Sequence, residues 1–297
     1  MKKYVITGSI GHISKPVVEG LVKAGKEVSV ITSDTGKVAA IEALGATALV
    51  GSVSDRDFVK RAFQGADAVY SMIPPIWQTT DWRAAQNEVG RAYTDALRGS
   101  TVKYVVNLSS IGAHLGEGVG PVNALADFEK MLNGLPGIHV KHLRPGYFFY
   151  NFTHQIGLIN NAGILGDNFG LENQKVPLVH TRDIAAVALE ELLGVSFTGK
   201  SFRYIVSDHR TLQDVARVLG QAIGKNIPWV VFTDEQALKG ALDAGVPASH
   251  AGPFVEMGIA LRTGRMQEDL EKTNPAPGPT KLEDFAAEFR AAFTSAQ

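Results

Sequence analysis

Over the first half of the chain, short apolar runs alternate with longer stretches in which apolar residues recur three or four positions apart. The runs suit strands buried on both faces, and the stretches suit amphipathic helices. This pattern predicts strands at Tyr4 to Thr7, Val28 to Thr32, Thr47 to Gly51, Ala68 to Met72, Tyr104 to Ser109 and His139 to Arg144, with a later one at Ser201 to Val206. Helices fill the gaps at Pro16 to Ala24, Gly36 to Leu44, Arg56 to Phe63, Arg83 to Arg98 and Asn123 to Leu132. Pro16 is expected at a first helical position, where its missing N–H costs nothing. Such alternation defines an α/β protein with a doubly wound parallel sheet. Its ligand crevice should lie beyond the carboxyl ends of strands one and four.

The alternation weakens after Arg144. An aromatic run, Tyr147-Phe148-Phe149-Tyr150, leads into a Gly/Asn-rich stretch from Asn160 to Asn173. Two domains are therefore expected: residues 1–150 as the doubly wound domain, and 151–297 as a smaller C-terminal α+β lobe. Within the latter, 176–206 returns to the first core, because Ile184, Val187, Ala188 and Leu192 repeat at helical spacing between Asp183 and Leu193. Thr211 to Ile223 and Thr233 to Ala244 read as helices of the lobe's outer wall, with both threonines as N-caps. Asn274 to Pro279 is a stiff linker, and Lys281 to Phe293 a closing amphipathic helix.

Composition narrows the function classes. At roughly 150 residues per domain, 297 residues leave room for a sizeable core. Lys plus Arg number 29 and Asp plus Glu 30, so neither sign supplies a field for nucleic acid or an anionic membrane. The absence of Cys excludes disulfides, Cys-bound zinc and a thiol nucleophile. No His pair has metal spacing with a carboxylate, so no metal site is expected. No apolar run is long enough to cross a bilayer, and Met1-Lys2-Lys3 leads directly into a strand pattern, so the expected compartment is the cytoplasm.

The strongest chemical signal is Val5-Ile6-Thr7-Gly8-Ser9-Ile10-Gly11-His12-Ile13-Ser14, a glycine pair between the first strand and the first helix. Gly8 permits a tight turn, Gly11 lets backbone approach a pyrophosphate, and the helix N-terminus offers free N–H groups and a positive dipole end. Ser14 replaces the third glycine of the usual fingerprint with another small residue. A glycine-rich turn without a ligand is the plainer reading, and the flanking strand and helix favour a dinucleotide over it. After the second strand, Ile31-Thr32-Ser33-Asp34-Thr35-Gly36-Lys37 has no carboxylate at the last strand position. Ser33 with Lys37 favours the 2'-phosphate of NADP, while Asp34 swung back towards a 2'-hydroxyl would favour NAD.

These residues carry a family likeness. Thr7-Gly8-Ser9-Ile10-Gly11, the Gly65-Ala66-Asp67-Ala68-Val69 run into Ser71-Met72-Ile73-Pro74-Pro75, Asn107-Leu108-Ser109-Ser110, Arg144-Pro145-Gly146-Tyr147-Phe148 and His180-Thr181-Arg182-Asp183-Ile184-Ala185 together resemble the NmrA-like branch of the atypical short-chain dehydrogenase/reductases. The resemblance covers nearly the whole chain and implies a Rossmann domain binding NADP or NAD beneath a small C-terminal lobe. It makes Gly8, Ser9, Ile10, Gly11, His12 and Ile13 the pyrophosphate loop, Ser33 and Lys37 the 2'-phosphate region, and Ser52 and Val53 the adenine edge. It sets Met72, Ile73 and Pro74 along the cofactor's middle, and Leu108, Ser109, Pro145, Gly146 and Tyr147 near the nicotinamide. Ser33 stands where NADP-binding relatives often carry Arg, and Ser52 where an acidic residue often follows the third strand.

Reductases of the wider superfamily protonate the nascent oxygen with a Tyr and a Lys four residues later. Here Lys130 is preceded at that distance by Ala126. A proton would have to come from water, Ser110 or His114, and the latter two are the candidate catalytic residues. An acceptor that needs little acid catalysis, such as a quinone or another conjugated electrophile, fits this lack. Trp77, Tyr147 and Phe148 are candidate substrate walls, with Trp82 and Tyr150 in reserve, although aromatics in an apolar stretch commonly pack inward. His180 is expected to be structural, paired with Asp183. The alternative to an NADP-dependent oxidoreductase is a non-enzymatic dinucleotide sensor acting on a protein partner. A sugar-nucleotide epimerase, which depends on the Tyr and Lys, fits least. The expected partner is a small-molecule substrate, and the chain is expected to be a monomer or homodimer.

Overall fold

The computed structural model describes residues 2–296. The first half runs β1 (Lys3–Ile6), α1 (Ser14–Lys23), β2 (Glu27–Thr32), α2 (Val38–Ala43), β3 (Thr47–Val50), α3 (Arg56–Phe63), β4 (Ala68–Ser71), α4 (Trp82–Arg98), β5 (Tyr104–Leu108), α5 (Val122–Asn133) and β6 (His139–Pro145). The second half continues with β7 (Tyr147–Phe148), α6 (Ile156–Ala162), β8 (Leu165–Asp167), β9 (Lys175–Val179), α7 (Thr181–Gly194), β10 (Lys200–Ile205), β11 (Asp208–Thr211), α8 (Leu212–Ala222), β12 (Trp229–Val231), α9 (Asp234–Asp243), α10 (Ala248–Arg262), α11 (Glu268–Thr273) and α12 (Leu282–Ser295).

Seven strands form one parallel sheet in the order β10-β6-β5-β4-β1-β2-β3. The order reverses between β1 and β4, which opens a crevice at their carboxyl ends. Tyr4 and Ile6 face one side of the sheet with Tyr70, Val106 and Leu143, under Val17 and Leu21 of α1 and Ile184, Ala188 and Leu192 of α7. Val5 faces the other with Ile31, Val69, Val105 and Val140, under residues of α3, α4 and α5. Both faces are covered, which explains the unbroken apolar runs of the sequence. At the sheet's edge β10 pairs with β6 in register Lys200↔Val140 to Ile205↔Pro145.

The remaining elements form a lobe beyond the carboxyl end of the sheet. It holds a three-stranded sheet, β11-β9-β7, and a two-stranded parallel one, β12-β8. Its core joins Phe149, Phe152, Phe169 and Trp229 to Leu212, Val215 and Leu219 of α8 and to Phe285, Phe289 and Phe293 of α12. Thr211 and Thr233 cap α8 and α9 through Asp214 N and Gln236 N.

Some local expectations are corrected. Pro16 is the third residue of α1, still within the turn whose N–H groups have no partner in the helix. α8 lies inside the lobe, with Leu212, Val215 and Leu219 fully buried, whereas α9 buries no residue and alone of the two forms outer wall. α10 has no sequence forecast, because its apolar residues make no single stripe and Pro253 interrupts it. No helix of the described residues is long and apolar enough to cross a membrane.

Candidate active site

The crevice is built around the turn after β1. Gly8 has φ +83°, and a Cβ there would run into Met72 Cε. Thr7 N donates to Tyr70 O (3.0 Å) and Ser9 N to Ile31 O (3.0 Å), so the turn is pinned to the ends of both neighbouring strands. Thr7 Oγ1 accepts from Met72 N (2.8 Å) and Ser9 Oγ bonds Thr32 Oγ1 (3.0 Å). Gly11 differs from Gly8. A Cβ on it would meet nothing within 4 Å, so no packing within the protein demands glycine there. No side chain caps α1 at Ile13, and its first turn holds no acid. A helix N-terminus left open behind a glycine with free space in front suits an anion approaching the backbone. Residues Gly8 to Ile13 thus fit a diphosphate, and the 3% exposed Ser14 allows close packing of helix on sheet.

Around that turn the structure gathers most of the sequence-predicted residues. After β2, Ser33 is exposed and Lys37 half-exposed, and Lys37 makes no ion pair among the described residues. Asp34 is turned onto its own turn, its Oδ1 accepting from Gly36 N at 2.9 Å. Beyond β3, Ser52 Oγ accepts from Ser54 N (3.2 Å) and Val53 is half-buried. Ile10, Ile13, Met72, Leu108 and Phe148 are half-buried and pack on the same core beneath the crevice. Pro74 is half-buried, whereas Ile73 and Pro145 are buried. A Cβ on Gly146 would strike the Pro177 carbonyl, which shows how closely β9 approaches here. The exposed Tyr150 sets its ring 4.3 Å from that of His12, centroid to centroid, and so reaches from the lobe to the phosphate turn.

The proton-donor candidates sit differently. Ser110 is half-buried after β5. His114 is half-buried, with neither ring nitrogen hydrogen-bonded. Burial lowers its pKa, and the charges that reach it are Asp269, Arg144, Glu268 and Lys272, on β6 and about α11. Arg144 is itself committed to a buried pair with Glu129 (2.6 Å), and burial disfavours charge on Glu129 but Arg144 still holds its carboxyl below the usual range. Along α5 the polar side chains are occupied. Asn123 Oδ1 accepts from Val119 N, Asp127 binds Arg83 (2.7 Å) and Asn87, Glu129 binds Arg144, and Lys130 is exposed. Ser109 is buried with its Oγ unbonded. His180 does not pair with Asp183: it accepts from Arg182 N and meets Glu288 at 3.2 Å, while Asp183 holds Ser207 and Thr280.

The aromatic candidates divide as well. Tyr147 turns into the lobe, its ring 5.6 Å from Phe152 and 5.3 Å from Phe169, and burial with nearby Asp167 raises its hydroxyl pKa strongly. Trp77, half of it exposed, stacks on His250 (5.0 Å) and Trp82 (5.8 Å) beside Phe254. His250 Nε2 meets Ile76 O at 3.0 Å and Ser249 Oγ donates to Thr79 O at 2.9 Å, so α10 is tied to the β4–α4 loop. Behind Phe254 lies a cavity of about 460 Å³ between α6, β8, α9 and α10, with Asp167 and His154 in its wall. Sequence reasoning missed Asp167. Its only signal was a carboxylate inside the Gly/Asn-rich stretch, indistinguishable there from a loop residue.

Comparison with known proteins gives a family match and relatives of the same fold. The profile of the NmrA-like family matches residues 1–286. An NAD(P)H azoreductase from Xenophilus azovorans is 25% identical over 98% of this chain and 99% of its own length. The NADPH-dependent quinone oxidoreductase QOR2 of Escherichia coli, solved in complex with NADPH, shares the fold with a TM-score of 0.81 at 21% identity, over 96% of this chain and 99% of that one. The triphenylmethane reductase of a Citrobacter species, solved with NADP(H), gives 0.78 at 18% identity, over 97% and 99%.

Proposed function

The chain belongs to the NmrA-like family, and from that premise we propose that it is an NADP-dependent oxidoreductase that delivers hydride directly to a quinone or similar conjugated electrophile. The observation that carries the reading is the pairing of an open phosphate turn, Gly8 to Ile13, with a helix α5 that offers Ala126 where an acid pair would need Tyr. Residues 1–150 with the segment 176–206 would form the nucleotide-binding part, and the rest of 151–297 the substrate lobe. The reduced nicotinamide, when bound, supplies the hydride.

The chain's own groups bind and orient. Main-chain N–H groups at the opening of α1 would hold the diphosphate. Ser33 and Lys37 would take the 2'-phosphate, since the Asp34 carboxylate is engaged with Gly36 N and only its main chain bonds Thr32 of β2. Ser52 and Val53 would border the adenine, with Met72, Ile73 and Pro74 beside the middle of the dinucleotide. Leu108, Ser109, Pro145, Gly146 and Tyr147 would shape its nicotinamide end. Trp77 and Phe148 would supply apolar walls for a flat acceptor. Ser110 and His114 are not needed as acids: a reduced quinone anion is delocalised and takes its proton from water.

The test is NADPH oxidation followed at its absorbance band against a panel of quinones, with NADH alongside. Steady loss of NADPH, stoichiometric with acceptor, is expected, with NADPH preferred. Saturable binding of NADPH without turnover on any acceptor would overturn the enzyme reading and favour a regulator.

A further inference from the structure

Helix α9 turns Ala237, Ala241 and Ala244 to the cavity with Gly240 beside them, and buries no residue of its own. Its small residues sit at helical spacing on one face, so that face is left unfilled rather than packed. Across the space stand Phe232, Phe254 and Leu158. A volume of about 460 Å³ falls within the range of small-molecule sites. Among the cavity's lining residues only Asp167 and His154 titrate, and Tyr147 approaches Asp167 from β7. No cation pairs with Asp167 among the described residues. Its carboxylate accepts one bond, from Asn168 N to Oδ1 at 2.8 Å, which leaves Oδ2 without a partner among the described residues. Arg262, which reaches the carbonyl of the adjoining Asn168 (2.8 Å), is spent on Asp234 (2.8 Å). His154 is exposed, yet desolvation by its neighbours lowers its pKa, so at pH 8 it brings no charge.

A carboxylate facing an apolar cavity with no counter-ion is costly unless a ligand supplies one. We propose that this cavity, whose Phe254 wall meets Trp77 at 6.3 Å and so adjoins the acceptor wall named above, is the acceptor's binding site and that Asp167 makes it select flat aromatic acceptors carrying a positive charge; the acceptor role rests on the reductase reading, the site itself does not. The charge balance agrees with the missing acid. When a hydride pair from reduced nicotinamide forms a C–H bond at a carbon of a cationic conjugated acceptor, the product is neutral and NADP⁺ is left. No proton is then required from Ser110, His114 or any other group. Burial pushes the Asp167 carboxyl up to about 6. The preference for cations should therefore be full above pH 7 and fade as the pH falls through 6.

Three acridines of matched shape test the site by fluorescence titration at pH 8, without cofactor: 9-aminoacridine as cation, acridine as neutral ring and acridine-9-carboxylate as anion. The wild type should bind the cation roughly tenfold or more tighter than the neutral ring, as expected for one charge-assisted contact. The anion should bind weakest. Asp167→Asn should abolish the difference between cation and neutral ring while retaining the latter. Ala241→Phe, which fills the cavity from α9, should weaken all three with the melting temperature preserved. An Asp167→Asn protein that keeps the cation preference, or an Ala241→Phe protein that binds all three as before, would overturn the proposal. If the binding pattern holds and quinones are reduced but no cationic acceptor is, the cavity's role as acceptor site is overturned; if no quinone is reduced either, the reductase reading falls with it.

Discussion

Gly8 and Gly11 are three residues apart and answer to different demands. Gly8 is required by the protein's own geometry, a left-handed φ and the Met72 side chain against it. Gly11 faces open space, so its lack of a side chain serves only what approaches from outside. Gly11→Val should therefore weaken NADPH binding by about tenfold or more while stability stays within about 1 kcal/mol of the wild type. Calorimetric titration beside a urea melt checks both halves, and a large loss of stability would assign Gly11 to the fold instead. At this scale the phosphate turn was legible because backbone conformation is written locally in glycines. Asp167 was not, since its meaning comes from residues as far apart as Leu158, Ala241 and Phe254, which only folding brings around it.

Among elements, the predicted strands and first-half helices fall within a few residues of the observed ones, because both sheet faces are buried and leave continuous apolar runs. The short strands β7, β8, β9, β11 and β12 were not anticipated; two to five residues of strand give no period to detect. Three neighbouring strands share a feature that no single-strand pattern records. Ser71, Asn107 and His142 lie side by side on β4, β5 and β6 and connect at 3.0 and 3.1 Å, and His142 Nε2 reaches Asn133 of α5 at 3.0 Å. Burial lowers the His142 pKa to about 4, so the folded protein holds it neutral where an unfolded chain would protonate near 6.5. Between those two values the unfolded state binds more protons, and stability falls as the pH is lowered. The loss from pH 7 to pH 5 should be about 2 kcal/mol from this group alone. Urea melts of the wild type and His142→Gln at the two pH values test it; an equal pH dependence in both proteins would remove His142 as the cause.

For the molecule as a whole, the chain passes from sheet to lobe after β6, returns at α7, and leaves again after β10. The lobe and the sheet are also joined through Asp183, which binds Ser207 Oγ (2.5 Å) and Thr280 Oγ1 (2.6 Å). A fragment of residues 1–150 would lack α7 and β10 and would leave Tyr4, Ile6 and Tyr70 without Ile184, Ala188 and Leu192 above them. Expressed alone it should not fold cooperatively, and the full chain should melt in a single transition by circular dichroism. Two resolved transitions, or a soluble fragment that melts sharply, would contradict this. The seven-stranded α/β architecture was readable from periodicity, and a return over 176–206 was expected from the spacing of Ile184, Val187, Ala188 and Leu192; the register that seats β10, with Val140 beside Lys200 sixty positions away, is specified by no local pattern.

The contact of Tyr150 with His12 gives this threading a practical outcome. The segment after β6 thus touches the turn proposed to receive the diphosphate, and a dinucleotide settling there would meet that ring. Arrival and departure of the nucleotide should then be paced by one aromatic side chain. An alanine at position 150 would speed both rates alike and leave the equilibrium between them little changed.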